Sequence, residues 1–216
     1  TGSYTPPGGA SVLCVDQLGT MVGLGGSDAF RVLELSDPAH PELLGTYIPM
    51  MGQVQQLDMV GDRAYLVTGF GMGELEVLDL ADPATPTRLG GATLMFDVMD
   101  LAVADHGLVL LATGWMDLQL FDTRQGADPT ALPAYGTVPG VYAVEVRTEG
   151  ENLLAYLAGR NGLAIVQLND PSHPQLVGQW EQSEVNLRAL ALSGNRAYTA
   201  NTQRLWAIDV TDPSSP

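Results

Sequence analysis

An all-β propeller of five four-stranded blades is the fold this sequence predicts. Three observations predict it: a motif that recurs five times, a glycine marker that also counts five, and alternating apolar segments punctuated by turn residues. The motif is an apolar strand ending in Asp-Pro. It runs Val32-Leu33-Glu34-Leu35-Ser36-Asp37-Pro38-Ala39-His40-Pro41 and then Val77-Leu78-Asp79-Leu80-Ala81-Asp82-Pro83-Ala84-Thr85-Pro86. Later copies are Ile165-Val166-Gln167-Leu168-Asn169-Asp170-Pro171-Ser172-His173-Pro174 and Ala207-Ile208-Asp209-Val210-Thr211-Asp212-Pro213-Ser214-Ser215-Pro216. The third copy in chain order is stretched, Leu120-Phe121-Asp122-Thr123 reaching Asp128-Pro129 after an insertion. The marker, a Gly followed by an aromatic or small residue, falls at Gly2, Gly45, Gly90, Gly136 and Gly178, with spacings of 43, 45, 46 and 42.

Each unit divides into four strands. In the second unit Val54 to Val60 is the first strand, Gly61-Asp62-Arg63 a tight turn and Ala64 to Val67 the second. Leu75 to Leu80 is the third, and Arg88-Leu89-Gly90 the fourth after the Asp-Pro loop. Equivalent second strands are Leu110 to Ala112, Ala155 to Ala158 and Ala197 to Ala200. β-Branched and aromatic residues pack well on a pleated surface and lose rotamer freedom in a helix, so these segments read as extended. Gly, Asn, Asp and Pro supply the turns between them. No 3.6-residue amphipathic run interrupts the series.

The run Leu-x-Val-Leu-Asp-Leu-x-Asp-Pro-x-x-Pro, with Gly-x-x-Ala-Tyr-Leu-Val at Gly61 to Val67, resembles the LVIVD repeat of bacterial propeller proteins. The resemblance covers essentially the whole chain. It departs in the first copy, where Val22-Gly23-Leu24 replaces Ala-Tyr-Leu, and in the third, with its insertion after Asp122. It implies a secreted, periplasmic or cell-surface protein whose leader has been removed; a cytosolic protein is the alternative.

The reading takes residues 1–216 as one domain, with blades at about 5–47, 48–91, 92–137, 138–180 and 181–216 plus 1–4. A propeller must join its last blade to its first. Gly2-Ser3-Tyr4 matches Gly45-Thr46-Tyr47 of a fourth strand, and the fifth unit lacks a fourth strand of its own. The N-terminal strand is therefore expected to pair with the last blade and hide its edge.

Composition narrows the function. Apolar residues make up 45% and charged residues 16%, a balance that supports a packed core. The formal charge is −16, from 25 acidic against nine basic residues, all of them Arg. Without a basic stripe to displace counterions, nucleic acid and anionic membranes are disfavoured as partners. The lone Cys14 builds neither a disulfide nor a thiolate metal site within the chain. No apolar run is long enough to span a bilayer. No metal or cofactor is expected.

The Asp residues of the Asp-Pro loops read as turn formers, their carboxylates folding onto nearby backbone N–H groups. His40, His106 and His173 lie in loops without convergent carboxylates, so no histidine-based catalytic or metal site is expected. The connections on the opposite face are unusually apolar. Met50, Met51, Phe70, Met72, Met95, Phe96, Trp115, Met116 and Tyr142 are the candidate binding residues there, because loops ordinarily carry polar turn residues. Methionines adapt to varied shapes, and aromatic side chains anchor interfaces. This points to a non-catalytic binding or scaffolding module for a protein or peptide partner. Aligning first strands on their turns makes Cys14, Gln56, Asp100, Glu145 and Ala189 equivalent. Asp100 and Glu145 are the alternative catalytic pair, as two carboxylates hydrolyse glycosides, in a glycan-binding or glycan-cleaving propeller.

Overall fold

Alternation along each repeat is realised as antiparallel strands. In a computed structural model of the chain, residues 2–104, 107–115, 118–124, 126, 128–136 and 140–216 are described. The first sheet is β1 (Val12–Leu18), β2 (Met21–Gly26), β3 (Phe30–Glu34) and β4 (Glu42–Tyr47). The second is β5 (Val54–Val60), β6 (Arg63–Phe70), β7 (Met72–Asp79) and β8 (Thr87–Leu94). The third is β9 (Asp100–Ala104), β10 (Leu108–Ala112), β11 (Gln119–Asp122) and the two-residue β12 (Thr130–Ala131). The fourth is β13 (Val141–Glu149), β14 (Asn152–Gly159), β15 (Gly162–Gln167) and β16 (Gln175–Glu181). The fifth has three strands, β17 (Ala189–Ser193), β18 (Arg196–Ala200) and β19 (Leu205–Asp209).

Each sheet is a meander in chain order, as short hairpin turns require. The chain forms two compact units, Thr1–Asp97 with Thr123–Thr130, and Val98–Asp122 with Ala131–Pro216. Within the first, Phe30, Val32, Val54, Leu66 and Leu78 form a core between the first two sheets. Within the second, Leu108, Leu110, Val144, Leu157 and Val166 join the third and fourth sheets, and Tyr156, Ile165, Leu187 and Ile208 the fourth and fifth. Burying each large apolar side chain contributes about 1.5–3 kcal/mol, so the face-to-face packing of neighbouring sheets holds each unit together.

The marker glycines explain how neighbouring sheets approach. A Cβ on Gly45 would stand 2.2 Å from the Pro83 carbonyl oxygen of the next Asp-Pro loop, and one on Gly178 would stand 2.3 Å from that of Pro213. The unpaired residue of a β-bulge precedes each: Leu44, Leu89 and Val177 are skipped in the pairings of β3 with β4, β7 with β8 and β15 with β16. A bulge sharpens the local twist and brings the glycine against the neighbouring sheet. Two residues on, the aromatic side chain meets the third strand of that sheet. Tyr47 donates its hydroxyl to Glu76 (2.6 Å), and the Trp180 and Trp206 rings lie 6.2 Å apart.

Two sequence expectations change. The stretch Phe70-Gly71-Met72 is a tight hairpin turn joining longer strands: Phe70 pairs with Met72 across Gly71, whose φ of +67° suits glycine. Among the described residues the N-terminal segment forms no strand, and the fifth sheet has the three strands β17, β18 and β19. Instead Gly2 donates its N–H to Pro38 (3.2 Å) and its Cβ position faces the Ala39 oxygen at 2.3 Å. Tyr4 interacts electrostatically with Arg31, the counterpart of Glu76 in the first sheet. Gly2 thus meets the Asp-Pro loop of the first sheet as Gly45 meets that of the second, whereas the buried Tyr4 hydroxyl lacks the hydrogen bond that Tyr47 makes.

The Asp-Pro loops are repeated side-chain turns. The carboxylates of Asp37, Asp82, Asp170 and Asp212 each accept the N–H two residues on, at 2.9–3.1 Å. Side chains three residues on close the loops, His40 Nδ1 at 2.7 Å from Asp37 and His173 Nδ1 at 2.8 Å from Asp170. The hydrogen bonds from His40, His173 and Ser214 hold Asp37, Asp170 and Asp212 below the ordinary carboxylate range. A carboxyl depressed in the folded state adds stability above its unfolded value of about 3.9, and this is lost as pH falls through the folded value. Wild-type melting temperature should therefore drop below about pH 4 more steeply than that of a triple variant with Asn at these three positions; parallel curves in calorimetry would rule this out.

Candidate functional site

Three connections of the first unit expose large apolar side chains on well-fixed backbone. Met50, Phe70, Met72 and Met95 are 71%, 73%, 64% and 75% exposed, and Met51 is 48% exposed. Phe96 is half-buried. The Met50 N–H donates to the fully buried Glu76 of β7 (3.3 Å), and the Gly71 N–H to Asp97 of the β8–β9 connection (2.9 Å), so the first tip is tied to a sheet and the second to the neighbouring connection.

Glu76 organises the base of this region. Its carboxylate accepts hydrogen bonds from Tyr47 and from Thr68 (3.1 Å), and Arg88 Nε lies 3.6 Å away. Arg88 also pairs closely with Glu74. Burial, followed by the neighbouring Glu76 carboxylate, pushes the Tyr47 phenol well above its ordinary value.

In the second unit, connections of the same type form a polar cleft of about 1060 Å³. Gly114 and Trp115 come from the β10–β11 connection, Arg160 and Asn161 from the β14–β15 turn, Ser183 to Arg188 from the β16–β17 connection, and Asn201 to Gln203 from the β18–β19 turn. Trp115 is 85% exposed, whereas Tyr142 is buried beneath the Arg188 guanidinium, which lies 4.2 Å from its ring centroid. Tyr142 therefore presents no free anchor at the surface, because it is the bulged residue of β13 and turns inward. Met116 and His106 lie outside the described residues.

The five residues aligned at the sequence level share one register. Cys14, Gln56, Asp100, Glu145 and Ala189 each occupy the fifth pair from the hairpin turn, opposite Gly25, Val67, Ala112, Tyr156 and Ala200. Both Asp100 oxygens accept backbone N–H groups, from Val144 at 2.9 Å and Leu101 at 3.0 Å. Burial raises its carboxyl, opposed by those two bonds. Asp16 makes the same clamp between the first two sheets, accepting the Met59 N–H at 2.7 Å. Each of these carboxylates ties one first strand to the next, and each Asp100 oxygen accepts one backbone hydrogen bond. Cys14 is desolvated, its thiol pushed up to about 11, and it donates weakly to the Val54 oxygen. Among the described residues no cluster of His, Cys, Asp or Glu fits a metal ion.

The cleft residues escaped sequence reasoning, because Arg, Asn, Ser and Gln in loops look like ordinary turn chemistry. The available signal was scarcity: the nine basic residues are all Arg, and two of them fall on same-face connections of adjacent repeats.

The LVIVD repeat family matches residues 153–181 and 186–216, two consecutive copies. Residues 153–216 thus hold two consecutive segments similar to the LVIVD repeat. The first matched LVIVD copy spans β14 to β16, and the second spans the fifth sheet and its Asp-Pro loop. No curated protein matches the chain. Among solved structures, a functionally unknown protein from Desulfotomaculum acetoxidans DSM 771 is similar with a TM-score of 0.80 and 12% identity, over 97% of this chain and 68% of that one. The computationally designed Ika8 protein is similar with a TM-score of 0.65 and 13% identity, over 92% of this chain. The chain spans 58% of the length of the designed protein. At such identities the likeness is one of fold: a β-propeller-like, all-β repeat module.

Proposed function

We propose that the chain is a non-catalytic binding or scaffolding module, a single five-bladed propeller that docks a protein or peptide through its Met- and aromatic-bearing connections. The observation that carries this reading is the exposure of Met50, Phe70, Met72 and Met95 on neighbouring connections, with the Met50 N–H bonded to Glu76 of β7 and the Gly71 N–H to Asp97 of the β8–β9 connection. Leaving such side chains in water forgoes burial free energy, and a partner that covers them recovers it. A net charge of −16 favours a partner that is basic as well as apolar. Closure of the ring is part of the proposal, with residues 2–4 pairing to the free edge of β19. It is supported by the way Gly2 repeats the close approach of Gly45 to the next Asp-Pro loop. Placement outside the cytoplasm rests on the resemblance to secreted LVIVD proteins.

A titration with synthetic amphipathic peptides of opposite charge tests the docking. Basic peptides should bind, more weakly as salt rises, and the double variant Phe70→Ala/Met95→Ala should bind about tenfold more weakly with an unchanged melting temperature. Equal binding of acidic peptides, or no effect of the double variant, would contradict it.

A further inference from the structure

The polar cleft of the second unit differs in kind from the apolar tips, and its chemistry names a ligand. Three charged side chains line it, Arg160, Arg188 and Glu184, so the cleft carries a net charge of +1 in a chain whose net charge is −16. Neither arginine has a carboxylate partner among the described residues; elsewhere Arg31, Arg88 and Arg147 are paired with Asp28, Glu74 and Glu149. Arg188 is exposed, with its guanidinium held over the Tyr142 ring at 4.2 Å from the centroid.

The walls are built to stay in place. The Arg160 N–H donates to Gly140 (3.0 Å), Asn186 to Arg160 (3.1 Å), Leu187 to Gly159 (3.0 Å) and Arg188 to Ala200 (2.7 Å), stitching three connections together. Asn201 donates its amide to the Val185 oxygen (2.7 Å). Glu184 and Asn186, at φ of 55° and 50°, are the non-glycine residues with positive φ among the described residues, and both line this cleft. Held backbone strain of this kind gathers where side chains must be aimed.

We propose that this cleft binds a carboxylated saccharide, a uronic-acid oligosaccharide being the chemical class. Planar guanidinium groups match a carboxylate through paired N–H donors. One net positive charge suits one carboxylate at a time and not a polyphosphate. Asn161, Ser183 and Gln203 supply donors and acceptors for hydroxyl groups, and the exposed Trp115 indole supplies a flat apolar face for a sugar ring. The volume of about 1060 Å³ accommodates more than one ring.

The site is independent of the docking surface on the first unit, and so is its test. Trigalacturonic acid, its methyl ester and inorganic phosphate are titrated into the full chain, followed by tryptophan emission and calorimetry. Trigalacturonic acid should shift the emission, and Trp115→Ala should abolish the shift. Arg160→Gln and Arg188→Gln should each weaken binding about tenfold or more at unchanged melting temperature, and the ester should bind about tenfold more weakly than the acid. Equal affinity for ester and acid, full competition by phosphate at matched concentration, or no binding to the folded chain would each overturn the proposal.

Discussion

Replacing Glu76 with alanine should cost about 3–5 kcal/mol, because it removes one partner of a buried charged network and leaves the others behind. For a chain of this size that is a fall of roughly 6–20 °C in melting temperature. Three consequences combine. The Tyr47 hydroxyl loses its acceptor, Thr68 keeps only the Glu74 carbonyl oxygen, Arg88 keeps only Glu74, and the Met50 N–H that holds the β4–β5 connection is freed. Glu76→Gln keeps the shape and one acceptor oxygen, so it should cost clearly less, about 1–3 kcal/mol. Calorimetry distinguishes the two; equal losses would mean that shape and not charge is what Glu76 contributes. The alanine variant should also bind basic amphipathic peptides more weakly than its melting temperature alone explains, since the Met50 tip is released.

Gly45→Ala and Gly178→Ala should each cost about 3 kcal/mol or more, at the upper end for overpacking, because the new methyl group meets backbone that has no rotamer to change. The obstructing atoms are the Pro83 and Pro213 carbonyl oxygens at 2.2 and 2.3 Å. Gly61→Ala is the control. Nothing lies within 4 Å of its Cβ position, so only the φ of +63° opposes the change, at a cost of about 1 kcal/mol. Gly2→Ala then bears on ring closure. Its Cβ would stand 2.3 Å from the Ala39 oxygen, as tight as at Gly45, yet a free terminal segment would peel away at little cost. A loss comparable to that of Gly45→Ala in chemical denaturation means that residues 2–4 are held from their other side, as pairing with β19 requires. A loss under about 0.5 kcal/mol would count against closure.

The strands of the second repeat are legible because each depends on local chemistry. Val54 to Val60 alternates, Gly61-Asp62 turns the chain, and β-branched and aromatic residues follow. The hairpin at Phe70-Gly71-Met72 was read as a loop, because two large apolar residues around one glycine do not announce a turn; only the pairing of Phe70 with Met72 reveals it. In the third repeat the insertion after Asp122 obscured the outer strand, which shrinks to Thr130–Ala131 and a bridge from Leu118 to Tyr135. The candidate site divided in the same way. Exposed methionines stand out in a sequence, whereas Tyr142 was misplaced by the inward turn of a bulge, and the arginines of the cleft lie 28 residues apart.

By itself the sequence determined the repeat: its period, its hairpins, its Asp-Pro turns and the equivalence of Cys14, Gln56, Asp100, Glu145 and Ala189, which the strand registers reproduce. All of these follow from residues within a few positions of one another, where propensity and turn chemistry act. Tertiary structure alone decided that the marker glycines sit against carbonyl oxygens of the next sheet. It also decided that Asp100 is a clamp, each oxygen accepting one backbone hydrogen bond, and that Arg160 and Arg188 share a cleft. Those outcomes depend on which sheet packs against which and at what distance. Side-chain contact across that gap is a property of the packed pair, which neither strand carries alone.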